Sequence, residues 1–343
     1  MKRWQFWFGV AISVFFLYWV LKDIEYATLW EKTLQANYWL IIPGVGAYFI
    51  GLWVRAWRWH YLLRPVKQVP TRTMFPIVAM GYAGNNIFPA RAGEVLRAVV
   101  LKNKEDVPIS ASLATIIVER VYDGVVMLAF IFVNLAELSR LTDTITLFRN
   151  FTIQDVAIWG SVLFFGVLVV FLVAAMFPVL TEKFIRWLVE RFVPHRFREK
   201  TLDIAVRFLG GLASLRSPVE ALMVFFTSVV IWLLETVKYW FVMHAFRFAV
   251  SFFALMLMNG VVNLATTIPS APGYLGTFDL PGIKVLQMYA VDAETAASYT
   301  FVLHFALWFP VTLLGLYYMW REGIKWGKVT TLEQNIEQEP ITE

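Results

Sequence analysis

Long apolar stretches recur along the 343-residue chain and are separated by short polar segments. Residues 156–177 carry no charge, and 297–320 have His304 as their one ionisable group. About 20 apolar residues cross the hydrocarbon core of a bilayer, so each stretch is long enough to span it. The pattern predicts an all-α integral membrane protein. The predicted spans are 4–21, 38–57, 110–136, 156–178, 219–245 and 297–320.

Two further apolar stretches, 74–90 and 252–290, are interrupted by Pro and Gly. Irregular backbone is tolerated at membrane depth only where protein or a water-filled cavity surrounds it. We therefore predict two re-entrant or discontinuous segments, within a total of about six to eight transmembrane helices.

Composition and charge distribution agree with this fold class. Only 16% of the residues are charged, against about 25% in soluble domains. With the N-terminus in the cytoplasm, the cytoplasmic segments hold 22 Lys and Arg residues and the external segments 6; Arg120 and Lys238, inside spans, complete the 30. This bias predicts a multi-pass protein of the cytoplasmic (inner) membrane with both termini inside.

Three further segments, at the two ends and in the middle of the chain, support weaker structural predictions. No small-residue cleavage site follows 4–21, so we expect an uncleaved first span. Residues 181–216 are basic and amphipathic, which fits either an interfacial helix drawn to anionic headgroups or a plain linker helix. The polar, acidic tail 331–343 is expected to be disordered.

The two halves of the chain show an internal correspondence. Each half, 38–136 and 219–320, has a span, a broken segment and a second span, and the single span 156–178 between them reverses the second half. This order predicts an inverted repeat within one transmembrane domain, 1–330, with a binding site at the repeat interface. The matched positions are Arg58 with Lys238, Pro89 with Pro269 and Gly93 with Gly273 at an offset of 180, and Arg120 with His304 at 184.

The broken segments carry the candidate binding groups. Arg91 and Arg97 flank a turn before a helix N-terminus, a combination suited to phosphate, although an ordinary cytoplasmic loop fits as well. The second segment is too rich in Pro and Gly for a regular helix and is predicted to be a membrane-embedded turn. The candidates are Asn86, Pro89, Arg91, Gly93, Glu94 and Arg97 in the first segment, and Pro269, Ser270, Pro272, Gly273, Gly276 and Asp279 in the second.

Ionisable residues inside the spans are the remaining candidates, because charge within a bilayer is costly. Glu119, Arg120 and Asp123 lie on one helix face, and Glu235 and Lys238 repeat the three-residue spacing. Two interpretations stay open: ion pairs that hold helices together, or a polar path for a headgroup. No catalytic, metal-binding or cofactor motif is present, and nothing indicates nucleic-acid binding.

Three motifs in order resemble the flippase-like membrane region of lysylphosphatidylglycerol synthases, which also occurs in stand-alone bacterial and archaeal membrane proteins. They are Asn86-x-x-Pro89-x-Arg91-x-Gly93-Glu94-x-x-Arg97, Glu119-Arg120-x-x-Asp123 and Pro269-x-x-Pro272-Gly273-x-x-Gly276. The resemblance covers about residues 5–325 and implies a lipid-handling domain. Asp279 stands where Glu is more usual in the family. Too few residues follow the last span for an aminoacyl-transferase domain, so lysyl transfer is not expected of this chain.

The leading hypothesis is a lipid flippase that moves a phospholipid or glycolipid headgroup between leaflets through a polar midplane cavity. The expected ligands are membrane lipids, anionic or aminoacylated. The alternatives are a non-transporting partner that presents lipid to a biosynthetic enzyme, and an intramembrane lipid-phosphate enzyme with Glu119 or Asp123 as base.

Overall fold

The computed structural model describes residues 3–22, 24–88, 91–141, 146–148, 151–268 and 270–323. Pro89, Pro269 and the tail 331–343 lie outside the described residues, so the expectations for them stay predictions. The described chain is almost entirely α-helical, with two short antiparallel β-strands near its middle. The elements are α1 Arg3–Leu21, α2 Tyr26–Leu34, α3 Ile41–Leu63, α4 Thr71–Ile87, α5 Ala92–Glu105, α6 Ile109–Leu141, β1 Thr146–Phe148, β2 Phe151–Thr152, α7 Ile153–Met176, α8 Pro178–Phe192, α9 Arg198–Gly211, α10 Pro218–Ala245, α11 Phe252–Ala265, α12 Asp279–Met288 and α13 Ala293–Arg321.

The prediction of an all-α integral membrane protein is confirmed. Three stretches of the described chain, Tyr38–Leu63, Pro218–Ala245 and Ala293–Arg321, are long and apolar enough to cross a membrane, and up to five are if each of two bent helix pairs forms one span. One bent pair joins α1 to α2 at 91°, and the other joins α7 to α8 at 107°. All six predicted spans coincide largely with helices, namely α1, α3, α6, α7, α10 and α13.

Each Pro/Gly-rich stretch takes part in a helical hairpin, although α4 of the first stretch continues unbroken through Pro76 and Gly81. In the first, α4 and α5 pack along each other, with Gly84 against Gly93. A Cβ on Gly93 would lie 1.9 Å from the Gly81 carbonyl oxygen, so only glycine permits this approach. In the second, α11 and α12 pack together on either side of the 3₁₀ turn Pro272–Tyr274, with the Met258 methyl group next to Gly282.

The two halves pack against each other with opposite direction. Helix α3 runs along α10, and the Asn37 amide at one end of α3 donates to the Ala245 carbonyl at the far end of α10, which makes the pair antiparallel. The hairpins are exchanged between halves: α4 packs on α13 and α11 packs on α6. The antiparallel packing of α3 and α10 is compatible with an inverted repeat, which stays a prediction.

One part of the charge count needs correction. Helix α3 continues to Leu63, beyond the predicted end of its span at residue 57, so Arg55 and Arg58 lie inside the protein rather than in a cytoplasmic loop. Arg97, also counted as cytoplasmic, is buried on α5. Removing these three from the 22 leaves 19 predicted cytoplasmic Lys and Arg residues against 6 external ones, so the direction of the bias is kept.

The apolar core is divided. One cluster surrounds Leu52, Trp59 and Met74 of the first half, and a second surrounds Tyr239 and Leu255 of the second half. The basic segment predicted at 181–216 forms α8 and α9, and on α8 the exposed Phe184 and Trp187 rings stack 6.0 Å apart. Their location at a membrane surface stays a prediction.

Candidate substrate-binding site

A buried network of charged side chains begins on α3 and α6. Arg58 Nη1 lies 2.5 Å from Asp123 Oδ1, and Arg58 Nη2 lies 3.3 Å from Oδ2, so the pair is bidentate. Arg58 also donates to the Ser228 hydroxyl at 2.6 Å, and the Trp232 indole donates to Asp123 Oδ1 at 3.0 Å. The pair therefore joins α3 and α6 of the first half to α10 of the second.

Glu119, one turn before Asp123, engages the hairpin helix α5. Arg97 donates to both of its carboxylate oxygens, at 3.0 and 3.5 Å. The Arg97 guanidinium also lies 4.1 Å from the centre of the Trp59 ring, within cation–π range. Because Arg97 is occupied on both sides and buried, its structural role is to hold α5 against α3 and α6.

Arg120 and Arg91 are held more loosely. Arg120 lies 3.5 Å from Asp123, 3.7 Å from Glu119 and 3.7 Å from Glu94, ion-pair distances that are longer than a typical hydrogen bond. Arg91 has its backbone in the left-handed region and donates to the Thr266 carbonyl of the other hairpin at 3.2 Å. Both side chains are about 30% exposed, unlike the buried Arg58 and Arg97.

A second ion cluster joins α3 and α10. Arg55 Nη2 donates to Glu235 Oε1 at 3.1 Å, and Lys238 donates to the other oxygen of the same carboxylate. Lys238 also lies 4.2 Å from the centre of the Tyr48 ring. One carboxylate therefore serves two buried cations.

A polar cavity of about 130 Å³ lies where the turns of the two hairpins meet. Arg91 contributes from the first turn and Tyr274 from the second, with their guanidinium and ring 5.9 Å apart. The Asn86 amide of α4 donates to the Thr312 hydroxyl at 2.8 Å, which fixes the first turn to α13. The lining residues are Tyr48, Arg55, Tyr82, Asn85, Asn86, Arg91, Glu94, Arg120, Trp232, Glu235, Tyr239, Asn263, Thr266, Gly273, Tyr274, Phe278, His304, Leu307 and Trp308.

Positive charge is in excess around this cavity. The network contains six cations and four carboxylates, an excess of two positive charges. Arg55 Nε and Nη1 are buried and have no hydrogen-bond partner among the described residues. Buried polar groups are normally satisfied, so these N–H groups mark a place for an acceptor; Asn85 Oδ1 and Glu94 Oε1, on residues that line the same cavity, are unpartnered acceptors. The ten residues are Arg55, Arg58, Arg91, Arg97, Arg120 and Lys238, with Glu94, Glu119, Asp123 and Glu235.

The second turn is built around Asp279 and His304. His304 Nδ1 lies 2.8 Å from Asp279 Oδ1 and Nε2 lies 2.7 Å from the Gly273 carbonyl oxygen. Asp279 Oδ2 accepts the Gly276 amide at 2.8 Å. Gly276 has φ +79° and packs directly on α1, where a Cβ would meet Phe16 and Ser13.

The structure therefore sorts the residues predicted from the sequence. Arg91, Glu94, Arg120, Glu235, Asn86 and Gly273 line the cavity. Glu119, Asp123, Lys238 and Arg97 lie one layer behind it, in ion pairs. Gly93 and Gly276 permit close packing, and Asp279 contacts His304. The Ser270 hydroxyl accepts a hydrogen bond from Thr277 at 3.1 Å. Pro272 starts the 3₁₀ turn Pro272–Tyr274.

Sequence reasoning missed Arg55 and Arg58 as site residues. The signal was present: Leu52, Arg55, Ala56, Trp59 and Leu63 follow helical spacing past the predicted end of the span, and all are buried. The cavity-lining aromatic residues Tyr48, Tyr82 and Trp232 were also missed. They resemble ordinary core or interfacial residues in sequence, and only the folded chain brings them to one cavity.

Comparison with known proteins gives several relatives of this chain. A UPF0104 membrane protein from Methanothermobacter thermautotrophicus is 22% identical over 335 residues, which cover 92% of each chain. The UPF0104 membrane protein MJ1078 from Methanocaldococcus jannaschii is 25% identical over 264 residues, 76% of this chain and 98% of the relative.

A third relative, glycosyltransferase AglD from Haloferax volcanii, is 27% identical over 262 residues. The match covers 69% of this chain but only 41% of AglD, so the chain spans less than half the length of that relative. No solved structure matches. The family described as the lysylphosphatidylglycerol synthase TM region matches residues 6–315, and the chain belongs to that family.

Proposed function

We propose that this protein is a lipid transporter that moves the headgroup of an anionic phospholipid or glycolipid between leaflets. The observation that carries the proposal is the polar cavity at the meeting point of two helical hairpins, with an excess of positive charge and free guanidinium N–H groups. The headgroup would pass between the hairpin turns while its acyl chains remain in the hydrocarbon region.

The cavity's chemistry favours a phosphate. Guanidinium groups bind phosphate oxygens through paired N–H donors, and a dianion or monoanion would offset the excess charge of the network. Arg55 supplies unpaired donors, and Arg120 and Arg91 are held at distances that leave their geometry adjustable. Arg58 and Arg97 each pair with a carboxylate through both terminal guanidinium nitrogens and would position the network rather than bind lipid.

The depth of the cavity supports a transport route. Helix α13 has 29 residues and, at 1.5 Å per residue, extends about 43 Å, enough to cross a bilayer. The second turn contacts His304 and the first contacts Trp308 and Thr312, all near the middle of α13. Both hairpin turns would then reach the bilayer's midplane, where a headgroup meets its highest barrier.

The surface beside the turns is suited to acyl chains. Ile268 and Leu275 of the second turn are exposed, as are Phe305 and Phe309 of α13, whose rings stack 4.9 Å apart. These side chains neighbour the cavity-lining residues Gly273, His304 and Trp308 in sequence. We propose that they border a lateral opening through which the lipid tails stay in contact with the membrane.

The proposal includes a membrane placement. The protein would lie in the cytoplasmic membrane with its N- and C-termini inside, as one transmembrane domain with inverted repeats at 38–136 and 219–320. The first hairpin would enter from the cytoplasmic face and the second from the external face.

The test is lipid movement in vesicles. The purified protein is reconstituted into liposomes that contain fluorescent NBD-phosphatidylglycerol, and dithionite reduces the label in the outer leaflet. We expect wild type to expose inner-leaflet label faster than protein-free vesicles, and Arg120→Ala to abolish this movement. Arg64→Ala, which removes an exposed arginine at the end of α3, is the matched control and should retain activity.

The outcomes are distinct. Wild-type vesicles that behave like protein-free ones would overturn the proposal and favour a non-transporting partner. Conversion of the lipid, detected by mass spectrometry of the recovered vesicles, would instead favour an enzyme. If wild type moves lipid and a folded Arg120→Ala variant moves it equally fast, Arg120 has no part in the mechanism.

A further inference from the structure

We infer that His304 and Asp279 form a proton-binding site, and that its proton latches the second hairpin turn to α13. The evidence is a hydrogen-bond arrangement in which both ring nitrogens of one histidine face acceptors. The proton-binding part stands on this geometry alone; its coupling to lipid movement rests on the proposed function.

The hydrogen-bond count requires a proton beyond a neutral imidazole and an ionised carboxylate. Neutral imidazole has one N–H donor and one acceptor nitrogen. Here Nδ1 lies 2.8 Å from Asp279 Oδ1 and Nε2 lies 2.7 Å from the Gly273 carbonyl oxygen. A carbonyl oxygen only accepts, so Nε2 must carry hydrogen, and the Asp279 contact needs a second hydrogen on Nδ1 or on the carboxyl group.

The surroundings of the pair hold it in place. Asp279 is fully buried, and its other oxygen accepts the Gly276 amide at 2.8 Å, so the carboxyl group cannot rotate without losing that bond. The Phe278 ring lies 4.4 Å from the imidazole, centre to centre. His304 also lines the polar cavity, which gives the proton a route to the substrate.

Release of the proton has a defined mechanical consequence. The imidazole then keeps one hydrogen, and the stronger, charge-assisted partner is the Asp279 carboxylate. Nδ1 would retain that hydrogen, and Nε2 would present a lone pair to the Gly273 carbonyl oxygen at hydrogen-bonding distance. Two acceptors facing each other repel, so the turn would separate from α13.

Movement of this turn would open the contact between the hairpins. A Cβ on Gly273 would lie 3.0 Å from the Trp308 indole nitrogen and 3.6 Å from the Asn86 carbonyl oxygen. That same Trp308 nitrogen donates to the Asn86 carbonyl at 3.3 Å. The Gly273 turn is thus seated against both α13 and the first hairpin, and its displacement would widen the cavity between them.

Other titratable and charged groups line the cavity with His304, and their charges determine the electrostatic potential at the proposed proton-binding site. Asp279 from α12 is the one carboxyl group within hydrogen-bonding distance among the described residues. The remaining groups line the cavity from each packed element: Tyr48 and Arg55 on α3, Tyr82 on α4, Arg91 and Glu94 at the start of α5, Arg120 on α6, Glu235 and Tyr239 on α10, and Tyr274 in the turn.

Asp279→Asn removes the need for the additional proton and keeps the geometry of the hydrogen bonds. The asparagine amide can donate to Nδ1 while its oxygen accepts the Gly276 amide, and Nε2–H still donates to Gly273. Every hydrogen bond of the latched state is then made without the additional proton. The variant should fold normally and remain latched at every pH.

The direct test is nuclear magnetic resonance of the ¹⁵N-histidine-labelled protein in lipid nanodiscs through a pH series. The chain has only four histidines, and His304→Gln identifies the signal of interest. In wild type we expect the His304 nitrogens to report loss of one proton within the series. In Asp279→Asn we expect a constant Nε2–H tautomer. A constant signal in wild type, or the same titration in both proteins, would overturn the proton site.

The coupling test uses the NBD-lipid assay through the same pH series. Wild-type flipping should vary with pH, by at most about tenfold per pH unit for one proton, whereas Asp279→Asn should give a flat profile. Asp292→Asn, the same substitution at an exposed site before α13, should follow wild type. A flat wild-type profile would overturn coupling, and absence of any flipping would overturn the transport proposal while leaving the resonance result to decide the proton site.

Discussion

Arg55 and Glu235 are 180 residues apart and form a buried ion pair, with Nη2 and Oε1 separated by 3.1 Å. The same offset relates Arg58 to Lys238 and Gly93 to Gly273 in the two halves. Residues at equivalent positions can contact each other only near the axis that relates the halves. In the inverted repeat predicted from the sequence, the pair would mark the pseudo-twofold axis, with opposite charges contributed by the two halves.

This position explains why the ion cluster lies beside the cavity. A binding site between inverted repeats is formed where both halves contribute equivalent elements, which is at the axis. Helices α3 and α10 supply the charges there, and the hairpin turns close the site from either side. Because Arg55 and Glu235 carry opposite charges, the predicted repeat would be electrically asymmetric.

Loss of the shared carboxylate should destabilise the protein more than loss of one cation. Glu235→Gln leaves Arg55 and Lys238 buried without an anion, so we expect the free energy of unfolding to fall by about 3–5 kcal/mol. Arg55→Gln leaves the Lys238 pair intact and should cost less. Thermal unfolding of the detergent-purified variants measures the order, with Asp203→Asn, at an exposed pair, expected to cost under about 1 kcal/mol. Equal melting temperatures for the two buried variants would contradict this account.

Gly93→Ala should disrupt the first hairpin. The added methyl group would lie 1.9 Å from the Gly81 carbonyl oxygen and 2.5 Å from the Asn85 amide nitrogen, both of them backbone atoms. We expect a large fall in melting temperature and loss of lipid movement. Gly46→Ala is the control, because a Cβ there has no neighbour within 4 Å and alanine favours a helix by about 0.5–1 kcal/mol. A Gly93→Ala protein as stable as wild type would show that the hairpin packs differently.

Single cysteines should report the proposed topology, since the natural chain has none. Gln68→Cys, between α3 and α4, should react with a membrane-impermeant maleimide only from the cytoplasmic side. Arg247→Cys, just after α10, should react only from outside. Labelling of intact cells and of inverted vesicles gives the two measurements, and labelling of both positions from one side would contradict the inverted arrangement of the halves.

The Lys32–Asp292 pair should make a small, pH-dependent contribution to stability. Partial burial raises the pKa of Asp292, but hydrogen bonds from Lys32 and from the Thr295 amide outweigh it and lower the pKa from 3.8 to about 2. Its carboxylate thus stabilises the fold above the ordinary pKa, and the contribution is lost as the pH falls through the lowered value. Asp292→Asn should melt slightly below wild type near neutral pH, and the difference should shrink as the pH falls from 3.8 toward 2. A constant difference would indicate that the charge is not involved.

Sequence patterning by itself determined the membrane class and the helix positions. Apolar stretches long enough to span a bilayer leave few alternatives, because a soluble protein cannot bury so many helices on every side. Proline and glycine marked the regions of both hairpins, although Pro76 and Pro310 lie inside the continuous helices α4 and α13. The spacing of Glu119, Arg120 and Asp123 correctly placed them on neighbouring positions of one helix, and Arg120 and Asp123 lie 3.5 Å apart.

Only the tertiary structure decided which charged residues line the cavity and which form buried ion pairs between packed helices. Arg91 and Arg97 are alike in sequence, yet one lines the cavity and the other is enclosed by Glu119 and Trp59. Arg58 lies beyond the span predicted at 38–57 because a hydropathy pattern ends near a charge, whereas α3 continues where a distant carboxylate neutralises that charge. Such pairs join residues 65 or 180 positions apart. Local sequence determines a helix, but the partner of a buried charge is fixed by how helices from both halves pack.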